Sequence, residues 1–128
     1  TVAYTRVRVV RRGRSTDDGA GRFSLIARVQ QVAPDRYLAC GVDARAGTAF
    51  LAEHNGGNTA GRTLEERPLP SALGGWHDVR VTADATRIRC LVDDQVMEVI
   101  NTLYSSGSAG VRSFDVAFEA QLMAVHAL

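Results

Sequence analysis

The sequence contains no lysine, so its 15 basic residues are all arginine, and 14 acidic residues balance them. The formal net charge is therefore only +1, which argues against a polyanionic partner or an anionic membrane surface for the chain as a whole. Apolar runs extend over a few residues at most, far short of the roughly 20 that span a bilayer. We therefore expect neither a membrane segment nor a membrane partner.

Cysteine is scarce as well. Cys40 and Cys90 are the only two, and they are too few and too far apart to suggest a metal site. Each lies inside a predicted strand. We expect two small buried thiols, because free cysteine packs as a small hydrophobic residue. One disulfide is the alternative if the protein is exported.

The dominant positive signal is alternation of apolar and polar residues with period two, which Gly, Asp, Asn or Pro interrupts roughly every ten residues. This pattern predicts an all-β sandwich or barrel of short antiparallel strands. A chain of 128 residues has the size of one domain with one core, so residues 1–128 are predicted to form a single β-sandwich domain. Because the chain begins at Thr1, we expect it to be a piece of a longer protein.

The predicted strands cover residues 5–11, 22–30, 36–43, 48–54, 63–68, 76–82, 87–92, 95–101, 107–113 and 115–128. The Gly- and Asn-rich stretch 55–61 is predicted to be an exposed loop. Residues 71–75 have room for a single helical turn. Trp76, which follows two glycines, is expected to pack in the core rather than to serve as a binding platform.

Three stretches carry a resemblance to a known family. They are residues 21–43, with FSLIARVQ and RYLACGVDARAG; residues 74–95, GGWHDVRVTADATRIRCLVDDQ; and residues 106–128, SGSAGVRSFDVAFEAQLMAVHAL. In this order they resemble the concanavalin A-like (laminin G-like) jelly rolls attached to bacterial glycoside hydrolases, among them the fructan-binding modules of levanases. The usual VDGQ turn is replaced here by residues 92–95, in which Asp94 occupies the place of the glycine.

The resemblance implies an antiparallel jelly-roll β-sandwich that binds carbohydrate without catalysis. It further implies a mono- or oligosaccharide ligand, a secreted protein, and a glycoside hydrolase catalytic domain as a partner within the same parent protein. Two alternatives stay open at this point. The chain is a structural or protein-interaction sandwich, or it is itself a glycosidase or lyase domain.

Candidate saccharide contacts are planar polar side chains and one aromatic ring, since such groups hold adjacent hydroxyls and pack on the C–H face of a sugar. By parity, four of them are expected on one face, opposite Phe23 and Leu25. The candidates are Arg28, Tyr37, Asp43 and Glu53, with His54, Asn55, Asn58 and Arg62 at the rim and Arg112 from the closing strand. A structural ion pair of Arg28 with Asp43 or Glu53 is the competing interpretation.

Catalytic and metal chemistry have little support in the sequence. Retaining glycosidases need two carboxylates close together on one face, whereas Glu65 and Glu66 are adjacent and point to opposite faces of a strand. No catalytic residue is therefore proposed. The three histidines lie on separate predicted strands, so no metal ligand is proposed among them. No cofactor is expected, although Asp17 and Asp18 belong to a turn that could bind Ca²⁺ through loop oxygens.

Nucleic-acid binding is not expected either. The basic stretch near the N-terminus contains Arg6 and Arg8, which alternate with Val7 and Val9 as the solvated face of a strand does. It contains no interleaved aromatic residues on which bases could stack.

Overall fold

The computed structural model describes residues 1–33, 35–56, 61–101 and 104–126. Within them the chain forms ten strands, and the described residues contain no helix long and apolar enough to cross a membrane. The strands are β1 (Val2–Arg12), β2 (Arg22–Val29), β3 (Arg36–Asp43), β4 (Thr48–Asn55), β5 (Arg62–Pro68), β6 (Trp76–Asp84), β7 (Arg87–Val92), β8 (Gln95–Ile100), β9 (Ser108–Phe114) and β10 (Val116–His126).

The strands form two antiparallel sheets of five. Sheet A has the order β10-β1-β6-β7-β8, and sheet B has the order β5-β4-β3-β2-β9. Consecutive strands pair as hairpins within β2–β3–β4–β5 and within β6–β7–β8, whereas β9 and β10 close opposite sheets. This architecture confirms the predicted β-sandwich.

The core lies between the sheets because every second residue of the inner strands points inward. Phe23 and Leu25 of β2, Leu38 of β3, Val79 of β6 and Ile88 of β7 are all buried there. On the side where β9 and β10 form the sheet edges, the ring of Phe118 packs on Phe23 with centroids 4.7 Å apart. The alternation of apolar and polar residues in the sequence thus matches which residues face the other sheet.

A smaller apolar cluster covers the outer face of sheet B. Tyr37 and Ala39 of β3 pack there with Phe50 and Ala52 of β4. The Arg22 guanidinium lies over the Phe50 ring, 4.1 Å from its centroid. These side chains therefore cover part of the outer face of sheet B, and its polar groups concentrate at the two ends of the strands.

Cys40 and Cys90 form a disulfide, so the expectation of two free thiols is wrong. Cys40 shares the inward parity of Leu38 on β3, and Cys90 shares that of Ile88 on β7. The two Cα atoms lie 5.5 Å apart across the core. The bond therefore joins sheet A to sheet B through the middle of the sandwich.

The strand bounds agree closely with the predicted ones, and two turns differ. Residues 71–75 form turns rather than a helical turn. In the hairpin between β7 and β8, Asp93 has a left-handed backbone with φ of 55°. The position that needs left-handed geometry is therefore Asp93, one residue before the missing glycine, and Asp tolerates that geometry better than most residues.

The disulfide generates a stability prediction. Its closed loop has a sequence separation of 50, for which loop-closure entropy gives a stabilisation of about 4 kcal/mol. We expect reduction to lower the free energy of unfolding by about that amount in guanidinium denaturation. The double variant Cys40→Ala/Cys90→Ala should lose somewhat more, because it also removes buried sulfur. Two thiols that react under denaturing, non-reducing conditions would contradict the bond.

Candidate functional site

One end of sheet B gathers most of the predicted site residues, and its centre is a stacked pair of rings. Tyr37 of β3 pairs in register with His54 of β4, so both side chains lie on the outer face. Their rings stack with centroids 4.4 Å apart and an interplanar angle of 18°. Both side chains are buried. The pair is therefore the floor of this end rather than an exposed platform.

Tyr104, which the sequence did not single out, ties this end together. Its hydroxyl lies 3.0 Å from the His54 carbonyl oxygen and 3.1 Å from Asn55 Oδ1, and both are acceptors. Its own carbonyl accepts a hydrogen bond of 2.6 Å from Arg28 Nη1. Because Tyr104 also packs in the core between the sheets, it anchors β4 and β2 to the segment after β8.

Arg28 does not lie on the outer face as predicted. The register of β2 against β9 shifts between Ile26 and Val29, and Arg28 within that irregularity has φ of 57°. This bulge re-aims the side chain, as bulges commonly do. Its guanidinium is directed to the Tyr104 carbonyl, and Arg28 is buried. Arg28 thus holds the end of the sandwich together.

Glu53 also departs from its predicted face. It pairs in register with Leu38, a residue of the inter-sheet core, so it has inward parity at the end of β4. Its Oε2 accepts a hydrogen bond of 2.7 Å from Asn101 Nδ2, and its Oε1 lies 3.5 Å from the Arg62 guanidinium. Glu53 is therefore buried between a structural amide and an exposed arginine.

Arg112 reaches the same end from β9. It pairs with Ser24, which in turn pairs with Gly41 on β3, so a row of small residues leaves space for a long side chain on the outer face. The Arg112 guanidinium lies close enough to the Tyr37 phenol for its charge to lower the pKa of that phenol. Arg112 remains half-exposed, so part of its guanidinium is open to a ligand.

Asp43 lies at the opposite end of β3, six residues from Tyr37 and thus about 20 Å away at the usual rise of a strand. Its Oδ2 accepts a hydrogen bond of 2.9 Å from Arg22 Nε, and its Oδ1 accepts from the backbone amides of Arg45 and Ala46. It therefore caps the turn between β3 and β4. The structure separates Asp43 from the other candidates.

The expected ion pair was assigned to the wrong partners. In the described part of the chain, Asp43 pairs with Arg22 and Glu53 with Arg62, and Arg28 pairs with neither carboxylate. Asn58, a predicted rim residue, lies outside the described residues. Of the other rim candidates, His54 is buried in the stacked pair, whereas Asn55 and Arg62 are exposed at the end of β4 and the start of β5.

The site thus has two sets of groups. Its buried groups lie on both faces of sheet B, with Tyr37 and His54 on the outer face and Glu53 and Tyr104 on the side of the core. A second set of groups, which we call the rim, is open to a ligand: exposed Arg36, Asn55 and Arg62, which share the parity of Glu53, and half-exposed Arg112 on the outer face. Arg36 pairs with Asn55 in the register of β3 against β4, which places two rim groups side by side.

The buried phenols of the site stay protonated. Burial raises the pKa of Tyr37, and the charge of Arg112 offsets only part of that rise. Burial also raises the pKa of Tyr104, and the nearby Glu53 carboxylate adds to the effect. Both rings are therefore neutral at physiological pH and act as hydrogen-bonding groups.

Trp76 lies on the outer face of sheet A, which contradicts the expectation that it packs in the core. It pairs in register with Arg8. The guanidiniums of Arg6 and Arg8 lie over its ring, 5.8 Å and 5.2 Å from the centroid. Cation–π contacts of this kind stabilise an exposed face modestly, and they cover the ring that a sugar would otherwise use.

A Ser–His–Asp arrangement that the sequence did not suggest joins two loops beside β6. His77 Nδ1 lies 2.7 Å from Asp93 Oδ2, and Nε2 lies 3.4 Å from Ser71 Oγ. Nε2 lies closer, at 2.7 Å, to the carbonyl oxygen of Ser71 itself. His77 Nε2 thus makes its shorter contact with the Ser71 carbonyl oxygen, whereas a nucleophilic serine would need this nitrogen to accept its hydroxyl proton. The three residues instead hold the loop before β6 to the hairpin after β7.

No group of three or more His, Cys, Asp or Glu residues that could hold a metal ion occurs within the described ranges. Calcium at Asp17 and Asp18 stays a prediction.

Comparison with known proteins places the fold. No protein-family model and no curated protein sequence matches this chain. Among solved structures, the carbohydrate binding module CBM66 from Bacillus subtilis superposes with a TM-score of 0.77 at 16% identity, covering 95% of this chain and 71% of that chain. The predicted resemblance in fold, a concanavalin A-like jelly roll, is confirmed.

Two lectins share the architecture at lower similarity. The galectin LEC-6 of Caenorhabditis elegans gives a TM-score of 0.59 at 13% identity, covering 97% of this chain and 81% of that chain. CG-16, a homodimeric agglutinin from chicken liver, gives 0.57 at 15% identity, covering 96% and 88%. At these identities the likeness establishes the fold alone.

The site geometry makes a prediction for Asp43. Asp43→Ala should lower the free energy of unfolding by about 3 kcal/mol or more in urea denaturation, because it leaves the buried Arg22 guanidinium without its carboxylate. The double variant Arg22→Met/Asp43→Leu should recover much of that loss, since it removes both charges. Saccharide binding by Asp43→Ala should match the wild type. Unchanged stability with lost binding would instead place Asp43 in the ligand contact.

Proposed function

We propose that this chain is a non-catalytic carbohydrate-binding module that binds a mono- or short oligosaccharide at the Tyr37 end of sheet B. The observation that carries the proposal is the rim of planar polar groups, exposed Arg36, Asn55 and Arg62 and half-exposed Arg112, beside buried and hydrogen-bonded side chains. The names of the solved structures of the same fold, a carbohydrate binding module, a galectin and an agglutinin, support it.

The chemistry of the rim suits sugar hydroxyls. A guanidinium presents donors in a rigid planar fork, and an amide side chain offers both donors and an acceptor. Asn55 Oδ1 accepts a hydrogen bond from the Tyr104 hydroxyl, and the amide nitrogen of Asn55 is a donor. Groups that are already held in place lose little conformational entropy when a ligand binds.

The buried rings at the Tyr37 end of sheet B limit the affinity for a saccharide. Tyr37, His54 and Tyr104 are buried, so among the described residues no aromatic ring at this end is free to stack on the C–H face of a sugar. Binding then depends on hydrogen bonds to a small polar ligand, and such complexes are weak. The proposed ligand is therefore recognised by the geometry of its hydroxyls, without a cofactor.

A non-catalytic role is supported by the state of the candidate catalytic groups. Glu65 and Glu66 are adjacent on β5, where Glu65 Oε2 lies 3.4 Å from Arg67 and Glu66 Oε1 accepts from the Thr48 hydroxyl at 2.9 Å. Each carboxylate thus has a structural partner. In the Ser71–His77–Asp93 arrangement, His77 Nε2 is hydrogen-bonded to the backbone carbonyl of Ser71.

We further propose a secreted protein in which this module accompanies a glycoside hydrolase domain. The Cys40–Cys90 disulfide supports secretion, because disulfides persist mainly in oxidising compartments. The sequence motifs shared with modules of bacterial glycoside hydrolases support the association.

Protein interaction is the competing function, and β10 favours it. This strand is the edge of sheet A, and Leu122, Met123 and Val125 on it are exposed. A long edge strand with exposed apolar side chains invites pairing with another chain. Under this alternative, the surface would contact the catalytic domain of the parent protein.

The proposal predicts a saturable saccharide complex that depends on the rim. We expect a glycan-array and thermal-shift screen of neutral, acidic and furanose sugars, with and without Ca²⁺, to give a calcium-independent hit. In isothermal titration, Arg112→Ala and Asn55→Ala should each weaken that hit, by roughly tenfold for the charged group. Arg87→Ala, an exposed arginine on sheet A, is the matched control and should bind as the wild type does.

Two results would overturn the proposal. One is the absence of any hit from a well-folded sample, which would favour the interaction module with β10 as its contact. The other is a hit that both rim variants retain, which would place the saccharide elsewhere on the sandwich.

A further inference from the structure

A cleft lies at the end of the sandwich opposite the rim. It has a volume of about 390 Å³ and is formed by the β1–β2 loop, the β3–β4 turn and the β9–β10 turn. Three arginines line it against a single carboxylate: Arg12, Arg14 and Arg45 against Asp115. We call it the arginine cleft. Its lining also includes the hydroxyl side chains of Ser15 and Thr16.

The backbone that shapes the arginine cleft is held in place from several sides. The Gly13 amide donates to the Asp115 carbonyl at 2.8 Å, and the Ser15 amide donates to Asp115 Oδ2 at 2.9 Å. Gly21 has φ of 92°, and a Cβ there would lie 2.8 Å from Arg45 Cβ. The loop, the turn and the arginine that line the cleft are thus packed closely together.

The positive charges of the arginine cleft outnumber its one carboxylate. Asp115 already accepts the Ser15 amide, and Arg45 donates from Nη1 to the Asp17 carbonyl at 3.2 Å, a neutral group. Within residues 1–33, 35–56, 61–101 and 104–126, no carboxylate forms an ion pair with the three arginines of the cleft. Several arginines elsewhere lie within 4 Å of a carboxylate, among them Arg6, Arg8, Arg62, Arg67, Arg87 and Arg89.

We propose that the arginine cleft binds the oxyanion substituent, a sulfate ester or a carboxylate, of an acidic saccharide. Guanidinium groups bind such oxyanions through paired charge-assisted hydrogen bonds. The Ser15 and Thr16 hydroxyls suit the neighbouring sugar hydroxyls. No aromatic ring lines the cleft, and single-stranded nucleic acid would need one for stacking. The choice of a saccharide as the molecule that carries the oxyanion rests on the proposed function. The oxyanion-binding chemistry of the cleft is independent of that function.

The two ends are separate sites. The arginine cleft adjoins the turn that Asp43 caps, whereas the rim lies about 20 Å away at the other end of β3. An acidic group therefore binds independently of a sugar residue at the rim. An acidic oligosaccharide long enough to reach both ends would gain affinity from both.

The test compares galactose 6-sulfate, glucuronate, neutral galactose and sodium sulfate by isothermal titration at low salt. We expect the two acidic sugars to bind more tightly than galactose or sulfate, and added NaCl to weaken them through screening. Arg14→Gln/Arg45→Gln should weaken the acidic sugars roughly tenfold or more. Arg87→Gln/Arg89→Gln removes the same charge from sheet A and should change their binding less than about twofold.

Each other outcome overturns the proposal. Equal affinity for galactose and its sulfate, or equal loss in both double variants, would show that the cleft does not recognise the oxyanion. Sodium sulfate bound as tightly as galactose 6-sulfate would make the cleft an inorganic anion site only. Amide shifts on galactose 6-sulfate binding, in a ¹H–¹⁵N spectrum, should centre on Gly13, Gly21 and Arg45. Rim binding is judged separately, since Arg112→Ala and Asn55→Ala should weaken it and Arg14→Gln/Arg45→Gln should not.

Discussion

The contact between the two sheets, fastened at its middle by the Cys40–Cys90 bond, is the constraint on which the rest of the molecule depends. The disulfide joins β3, the central strand of sheet B, to β7 of sheet A. Around it, inward residues such as Leu38 and Ile88 fill the space between the sheets. Because most inward positions hold apolar side chains that pack in the core, polar groups that could bind a ligand are left mainly to the strand ends and outer faces.

This constraint explains why the candidate sites lie at the two ends of sheet B. At one end, Tyr104 extends from the core and holds β4 through the His54 carbonyl and Asn55. At the other end, Asp43 pairs with Arg22 and caps the turn that carries Arg45. The same kind of buried polar anchoring thus fixes both the rim and the arginine cleft.

Much of the fold could be predicted from the sequence, because alternation reports directly on which face of a strand is buried. The inward parity of Cys40 and Cys90 was also present in the pattern. Parity does not tell which strands of two sheets lie opposite each other, so the disulfide could not be deduced. The face of Glu53 could have been predicted from the sequence, because the short turn after Asp43 fixes the register that pairs Glu53 with Leu38.

The site was less predictable for identifiable reasons. Parity assigns a face but not a position along the strand, so Asp43 was grouped with Tyr37 although they lie at opposite ends of β3. The bulge at Arg28 leaves no mark in the apolar pattern, and its left-handed backbone redirects the side chain. Tyr104 follows an irregular segment with no periodicity, so nothing in the sequence marked it as the residue that joins the strands.

Saccharide binding at the rim is tested most directly by a ¹H–¹⁵N chemical-shift map of the protein titrated with the best saccharide from the screen. We predict saturable shifts that centre on Arg36, Asn55, Arg62 and Arg112 for a neutral sugar. Shifts on the outer face of sheet A around Trp76, or along β10, would contradict it, and so would the absence of saturable shifts with every sugar tested.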